Sequence, residues 1–170
     1  MGGERERQEV EDLYVAAREG VIRYLIASGL SPDVAAEATQ EAFLRLYQAR
    51  RDGQEIREPR LWIYRAARNL ALNAVKRDAS KQSVFSEALE ATIANSEPSA
   101  EEKMIEREWR EGFGQAVKQL SERQRLCLEL RSQGLRYREI AEVLEIEIST
   151  AAEYVRRGIE ELKKWNRCRS

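Results

Sequence analysis

Between Pro59 and Arg77 the chain reads PRLWIYRAARNLALNAVKR. At helical period Arg65, Asn69, Asn73 and Lys76 share one side, while Ile63, Ala67, Leu70 and Ala74 share the other; Arg68 and Arg77 flank the polar stripe and Trp62 lies beside it. Guanidinium forks and carboxamides on one face are the groups that hydrogen-bond phosphate oxygens and base edges, so the chemistry on offer is nucleic-acid recognition. An ordinary amphipathic helix with a solvated charged face would give the same pattern, and the rest of the chain has to break that tie. Catalytic chemistry finds less to work with. There is no histidine, no glycine-rich phosphate loop and no spaced set of metal ligands, so an enzyme is not expected, nor a metal or cofactor.

A second constellation lies towards the C-terminus. YREIAEVL (Tyr137 to Leu144), a tight connection EIEI, and a longer helix from about Ser149 to Trp165 form the pattern of a helix-turn-helix. With Ala151, Val155, Ile159 and Leu162 as the buried stripe of the second helix, Thr150, Glu153, Arg156, Arg157, Glu160 and Lys164 are left outside. Early residues of such a helix meet base edges in the major groove, where an arginine forks onto guanine and a glutamate accepts from cytosine; Thr150, Glu153, Arg156 and Arg157 are the candidates. Lys163 and Lys164, with Arg167 and Arg169, would meet phosphates. Pairing of Glu153 with Arg157 and of Glu160 with Lys164 on a solvated face is the alternative, favoured for the second pair.

These two stretches need a scaffold. A first helix is expected from about Glu9 to Ser28, with Leu13, Ala16, Ala17, Ile22, Leu25 and Ile26 buried and Gly29 ending it. Ser31 and Pro32 give an N-cap and first-turn proline for a second helix to about Arg51, whose polar side carries Glu37, Gln40, Glu41, Arg45 and Gln48. The loop RDGQEIRE leads into the Pro59 helix, and the three helices make a small bundle. A further helix spans Glu101 to Leu120, and the capping box SERQ at Ser121 opens another that stops at Gly134.

The 170 residues, 42% hydrophobic and 35% charged, suit one domain or two small helical ones. The formal net charge of -1 hides an uneven distribution. From Arg60 to Lys81 six cations face one anion, 6 - 1 = +5; from Gln82 to Glu108 two cations face seven anions, 2 - 7 = -5. Over Ala79 to Ala100 periodicity weakens and Ser, Asn, Glu and Pro98 accumulate, the composition of a tether and a domain boundary. Cys127 and Cys168 form no CxxC pair and are expected free and reduced. No apolar run reaches membrane-spanning length and the start MGGERERQEVED lacks a signal-peptide core, so the expected location is cytoplasmic.

ATQEAFLRLYQ, then PRLWIYRAARNLALNAVKR, then LSERQRLCLELRSQGLRYREIAEVLEI, in that order, resembles the extracytoplasmic-function class of bacterial sigma factors in the sigma-70 family. The resemblance implies an all-α protein of two small helical domains: region two over 9–80, a flexible acidic linker over 81–100 and a region four helix-turn-helix over 101–166. It implies an initiation subunit that joins core RNA polymerase, opens the minus-ten promoter element with region two and reads the minus-thirty-five element with region four. Carried onto this sequence, Glu37, Gln40 and Glu41 match the polymerase-facing positions; Arg65, Arg68, Asn69, Asn73, Lys76 and Arg77 match the minus-ten helix; and the loop from Gly53 to Glu58 matches the segment that pockets an extruded base. An anti-sigma partner is likewise implied by resemblance alone. The chain departs from the family where Glu145 stands in place of a customary glycine, where Ala152, Glu153 and Tyr154 replace a commonly basic segment, and at Gly158 inside a helix. A free-standing helix-turn-helix regulator and a helical protein-docking adaptor are the rival readings; neither a dimer interface nor an effector pocket is visible for the first, and the second leaves the clustered Arg and Asn unexplained.

Overall fold

Among the residues that the computed structural model describes, 2–77 and 100–167, every regular element is an α-helix. They are α1 (Gly2–Ala27), α2 (Pro32–Arg51), α3 (Pro59–Arg77), α4 (Ala100–Gln119), α5 (Glu122–Ser132), α6 (Tyr137–Leu144) and α7 (Ile148–Arg167). The acidic tether expected over 81–100 lies outside the described residues except for Ala100, which opens α4.

Helix α1 begins well before Glu9, although its first turns carry little apolar surface. Helical pairs support them: Arg5 with Glu9 at 3.4 Å, Arg7 with Glu11 at 2.7 Å and Gln8 with Asp12 at 2.9 Å. Of the side expected to be buried on α1, Ala17, Leu25 and Ile26 are buried and Leu13 and Ile22 are half-buried against the core, joined by Val10, Val21 and Tyr24, whereas Ala16 is exposed. Ser31 caps α2 by accepting from the Val34 N–H, with Pro32 in the first turn. Ala35, Ala42, Phe43 and Leu46 of α2 then meet Leu61, Ile63, Tyr64, Ala67 and Ala71 of α3, closing a three-helix bundle.

In the second half, Ser121 and Gln124 form the expected capping box of α5. Leu126, Cys127 and Leu130 pack beneath Ile140, Val143 and Leu144 of α6 and Ala151 and Val155 of α7. Burial pushes the Cys127 thiol up to about 11, leaving it inert at neutral pH. Trp109 and Phe113 stack at 5.0 Å and meet Trp165 edge-on, which ties α4 to α7.

The two halves are not separate. Helix α1 packs on α5 and α3 packs on α6, so the buried residues of both halves form one continuous cluster. Gly20 marks the closest approach: a Cβ there would stand 2.8 Å from both the Gln133 side-chain Cδ and the Tyr64 hydroxyl.

Candidate nucleic-acid interface

Helix α3 is pinned by Ile63, Tyr64 and Ala67, each with no exposed surface, so the opposite side has a defined direction. Arg65, Asn69, Asn73 and Lys76 stand exposed along it as the sequence pattern requires. Leu72, 46% exposed, shares that stripe by spacing and adds an apolar contact that the polar pattern alone does not reveal. Trp62 is half-buried and packs against the core, which makes it a packing residue of α3. Arg68 is set apart from its neighbours. Its side chain is only 19% exposed, and its guanidinium lies 3.3 Å from the Glu145 carboxylate, in the turn between α6 and α7. Arg77 closes the helix, and its side chain lies outside the described residues.

The helix-turn-helix is built on a strained residue. Where α1, α2 and α5 give way to their loops, Gly29, Gly53 and Gly134 take φ of 92°, 83° and 84°. At the end of α6 the same left-handed position is held by Glu145, φ 55° and ψ 51°, and the Ile146 N–H donates to the Ala141 carbonyl at 3.0 Å to complete the cap. Among the described residues Glu145 is the only non-glycine with positive φ. A side chain in that conformation costs roughly 1–2 kcal/mol.

Past this turn, α7 buries Ala151, Val155 and Gly158 and leaves Ile159 40% exposed, so the expected stripe through Ile159 is shifted by one residue. The reason is close packing. A Cβ on Gly158 would stand 2.6 Å from Leu128 Cδ1 and 3.1 Å from its Cγ, so glycine lets α7 lie deep on α5. Thr150 and Glu153 are half-buried and Arg156 and Arg157 exposed. The Glu153 carboxylate accepts from Arg156 at 2.7 and 2.8 Å and from Arg157 at 2.6 Å, and hydrogen bonding to these two arginines draws its carboxyl down to about 2. Arg156 also reaches Glu160 at 2.6 Å, and Lys164 pairs with Glu161 at 2.8 Å in place of the expected Glu160. The base-reading and solvated-face alternatives thus fall on the same side chains: both candidate arginines are present at the surface, and both are already held.

On α2, Glu37 and Gln40 are exposed and Glu41 is half-buried, its carboxylate accepting from Arg45 Nε at 2.7 Å. Leu44, 48% exposed, completes that helical row, giving a mixed polar and apolar surface suited to a protein partner. Thr39 turns inward and donates to the Ala35 carbonyl at 2.7 Å.

Comparison with known proteins adds to this geometry. The family model "Sigma-70 region 2" matches residues 13–81 and "Sigma-70, region 4" matches residues 110–162. Among curated proteins no sequence match is significant. The fold is similar to that of CnrH, solved in complex with the cytosolic domain of CnrY: 14% identity, TM-score 0.57, covering 96% of this chain and 91% of that one. It is also similar to the sigma factor RpoE of Bartonella quintana, solved with the anti-sigma factor NepR: 18% identity, TM-score 0.60, covering 92% of this chain and 95% of that one.

Proposed function

The chain belongs to the sigma-70 family, with regions 2 and 4 in order along it, and from that premise we propose a division of labour between its surfaces. As a sigma factor it directs transcription initiation. In our reading 9–80 form the domain that meets core polymerase and the minus-ten element, 81–100 the tether, and 101–166 the domain that meets the minus-thirty-five element.

Arg65, Arg68, Asn69, Asn73, Lys76 and Arg77 hold the melted minus-ten strand. The supporting observation is the exposed row of Arg65, Asn69, Asn73 and Lys76 on a helix whose other side is locked in the core. Extruding a base costs a few kcal/mol, and a rigid row of cations, carboxamides and the apolar Leu72 offsets it for sequences that unstack readily. Thr150, Glu153, Arg156 and Arg157 read the upstream duplex, Arg156 and Arg157 after exchanging Glu153 for DNA. Glu37, Gln40 and Glu41 dock on core polymerase. The chain acts without a cofactor, in the cytoplasm, and is held in reserve by an anti-sigma partner, as RpoE is bound by NepR.

Run-off transcription with core polymerase and a library of promoter fragments tests this reading. Transcripts should start from a subset of fragments that share two spaced elements. A purified, folded chain that starts RNA from none of them would refute it.

A further inference from the structure

Tyr14, Trp109 and Tyr137 reach the surface but have partners within the chain. Tyr14 meets Phe43 edge-on at 5.0 Å, Trp109 stacks on Phe113, and the Arg131 guanidinium lies over Tyr137 at 5.2 Å. Ile148 is different. It stands 52% exposed at the first position of α7, and among the described residues it belongs neither to the buried cluster nor to the half-buried side chains packed on it.

Its neighbours hold it there. On one side Glu145 turns the chain in the left-handed conformation, the Ile146 N–H donates to the Ala141 carbonyl at 3.0 Å, and the Ile146 side chain is half-buried on the core. On the other, the Ala151 N–H closes the first turn onto the Glu147 carbonyl at 3.0 Å, and Ala151 itself is fully buried. To reach the core, Ile148 would have to move both. Four and eight residues on, Ala152 and Arg156 lie in the same row of the helix, Ala152 half-buried and Arg156 exposed. The row passes from apolar to cationic over about 12 Å at 1.5 Å per residue, which matches roughly three to four base-pair steps.

We propose, on the reading of α7 as the helix that meets the upstream duplex, that Ile148, with Ala152 beside it, reads the C5-methyl group of a thymine in the major groove. The edges exposed there offer hydrogen-bond donors and acceptors, and thymine alone adds an apolar group. Isoleucine and alanine side chains have no polar atom with which to read the other edges, so the group they select is the methyl. The rest of the row favours DNA over a protein as the occupant. Arg156 draws a polyanion to this side of α7, whereas an apolar protein patch would have to desolvate Arg156 together with its partners Glu153 and Glu160. Burying one methyl against the isoleucine then prefers thymine about fourfold over the same base without it.

The test removes the methyl and keeps the base pair. In an upstream element chosen from the promoter library, each thymine in turn is replaced by deoxyuridine, and the affinity of the holoenzyme carrying this chain is measured by competition. Wild type should lose about fourfold at one thymine or at two adjacent ones. Ile148→Ala should bind the unmodified fragment about fourfold more weakly and show no further loss with uracil at that place, while Ile148→Val keeps part of the uracil effect. The melting temperature of Ile148→Ala should match wild type, because an exposed side chain at a helix start holds no core. Indifference of the wild-type holoenzyme to uracil throughout the element overturns the proposal, as does an upstream element built only of G·C pairs, or an Ile148→Ala chain that retains the full uracil penalty. Weaker assembly of Ile148→Ala with core polymerase without DNA would assign the residue to a protein contact and overturn it too. In each of these cases selective initiation by wild type leaves the functional reading standing. A wild type that starts RNA equally well from scrambled upstream elements defeats the reading of α7 and, with it, the thymine contact.

Discussion

Replacing Glu153 by glutamine tests how α7 uses its arginines. One carboxylate engages Arg156 through two hydrogen bonds and Arg157 through a third, all between 2.6 and 2.8 Å. Glutamine keeps the size of the side chain and removes the charge. The Arg157 guanidinium, held by Glu153, is then freed for phosphate, while Arg156 keeps Glu160 as a partner. Every additional phosphate that an arginine engages steepens the dependence of log K on log salt by about 0.9, so the one freed arginine should add roughly 0.9 to the slope. Between 50 and 200 mM salt each such phosphate costs about 3.5-fold in affinity. Duplex DNA binding by the full chain, followed by fluorescence anisotropy over that range, should therefore show a tighter and more salt-sensitive Glu153→Gln variant. An unchanged slope would refute the clamp, and a loss of affinity together with a loss of discrimination at one base pair would show that the carboxylate itself reads cytosine. The pH dependence follows the same logic. A carboxyl drawn from 4.5 to about 2 keeps the clamp charged above its ordinary value and loses it only as pH falls towards 2, so wild-type binding should show no step from Glu153 between pH 5 and 8.

Gly158→Ala sets a helix-propensity benefit of about 1 kcal/mol against overpacking on Leu128 of roughly 1–3 kcal/mol, so the melting temperature should fall or stay level; in a Leu128→Ala background the same change should raise it, and equal effects in both backgrounds would sever the link to packing. Arg65→Ala with Lys76→Ala should lower open-complex formation, read by permanganate footprinting, while co-purification with core polymerase is kept; equal loss of both would contradict the division between surfaces. Gln40→Ala with Glu41→Lys should do the reverse, and undiminished co-purification would exclude that face of α2. Ser121→Ala removes a reciprocal cap and should cost about 1 kcal/mol, or roughly 2–4 °C in thermal melting, and no shift would mean that the cap is redundant.

Much of this protein is decided by local pattern. Apolar spacing, the Ser31 and Ser121 caps and the glycines at 29 and 134 specify where helices start and stop, because caps and left-handed ends act within a few residues. The basic, amide-bearing row of α3 was legible for the same reason: burying Ile63 and Ala67 forces Arg65, Asn69 and Asn73 outward. What depends on residues distant in sequence was not legible. The first turns of α1 are held in part by Arg50 of α2 reaching back to Glu9, a contact that no local spacing shows. Gly158 reads locally as a weak point and becomes intelligible only when Leu128 is found above it. Glu145 reads as a departure until Arg68, far back in the chain, is placed beside its carboxylate. Sequence periodicity determined which faces of each helix are apolar and which are charged. Which charged face meets another, and which stays exposed, was decided only by the tertiary packing of α1 on α5 and α3 on α6, because contact between distant segments depends on how whole bodies fit together, and no local spacing encodes that.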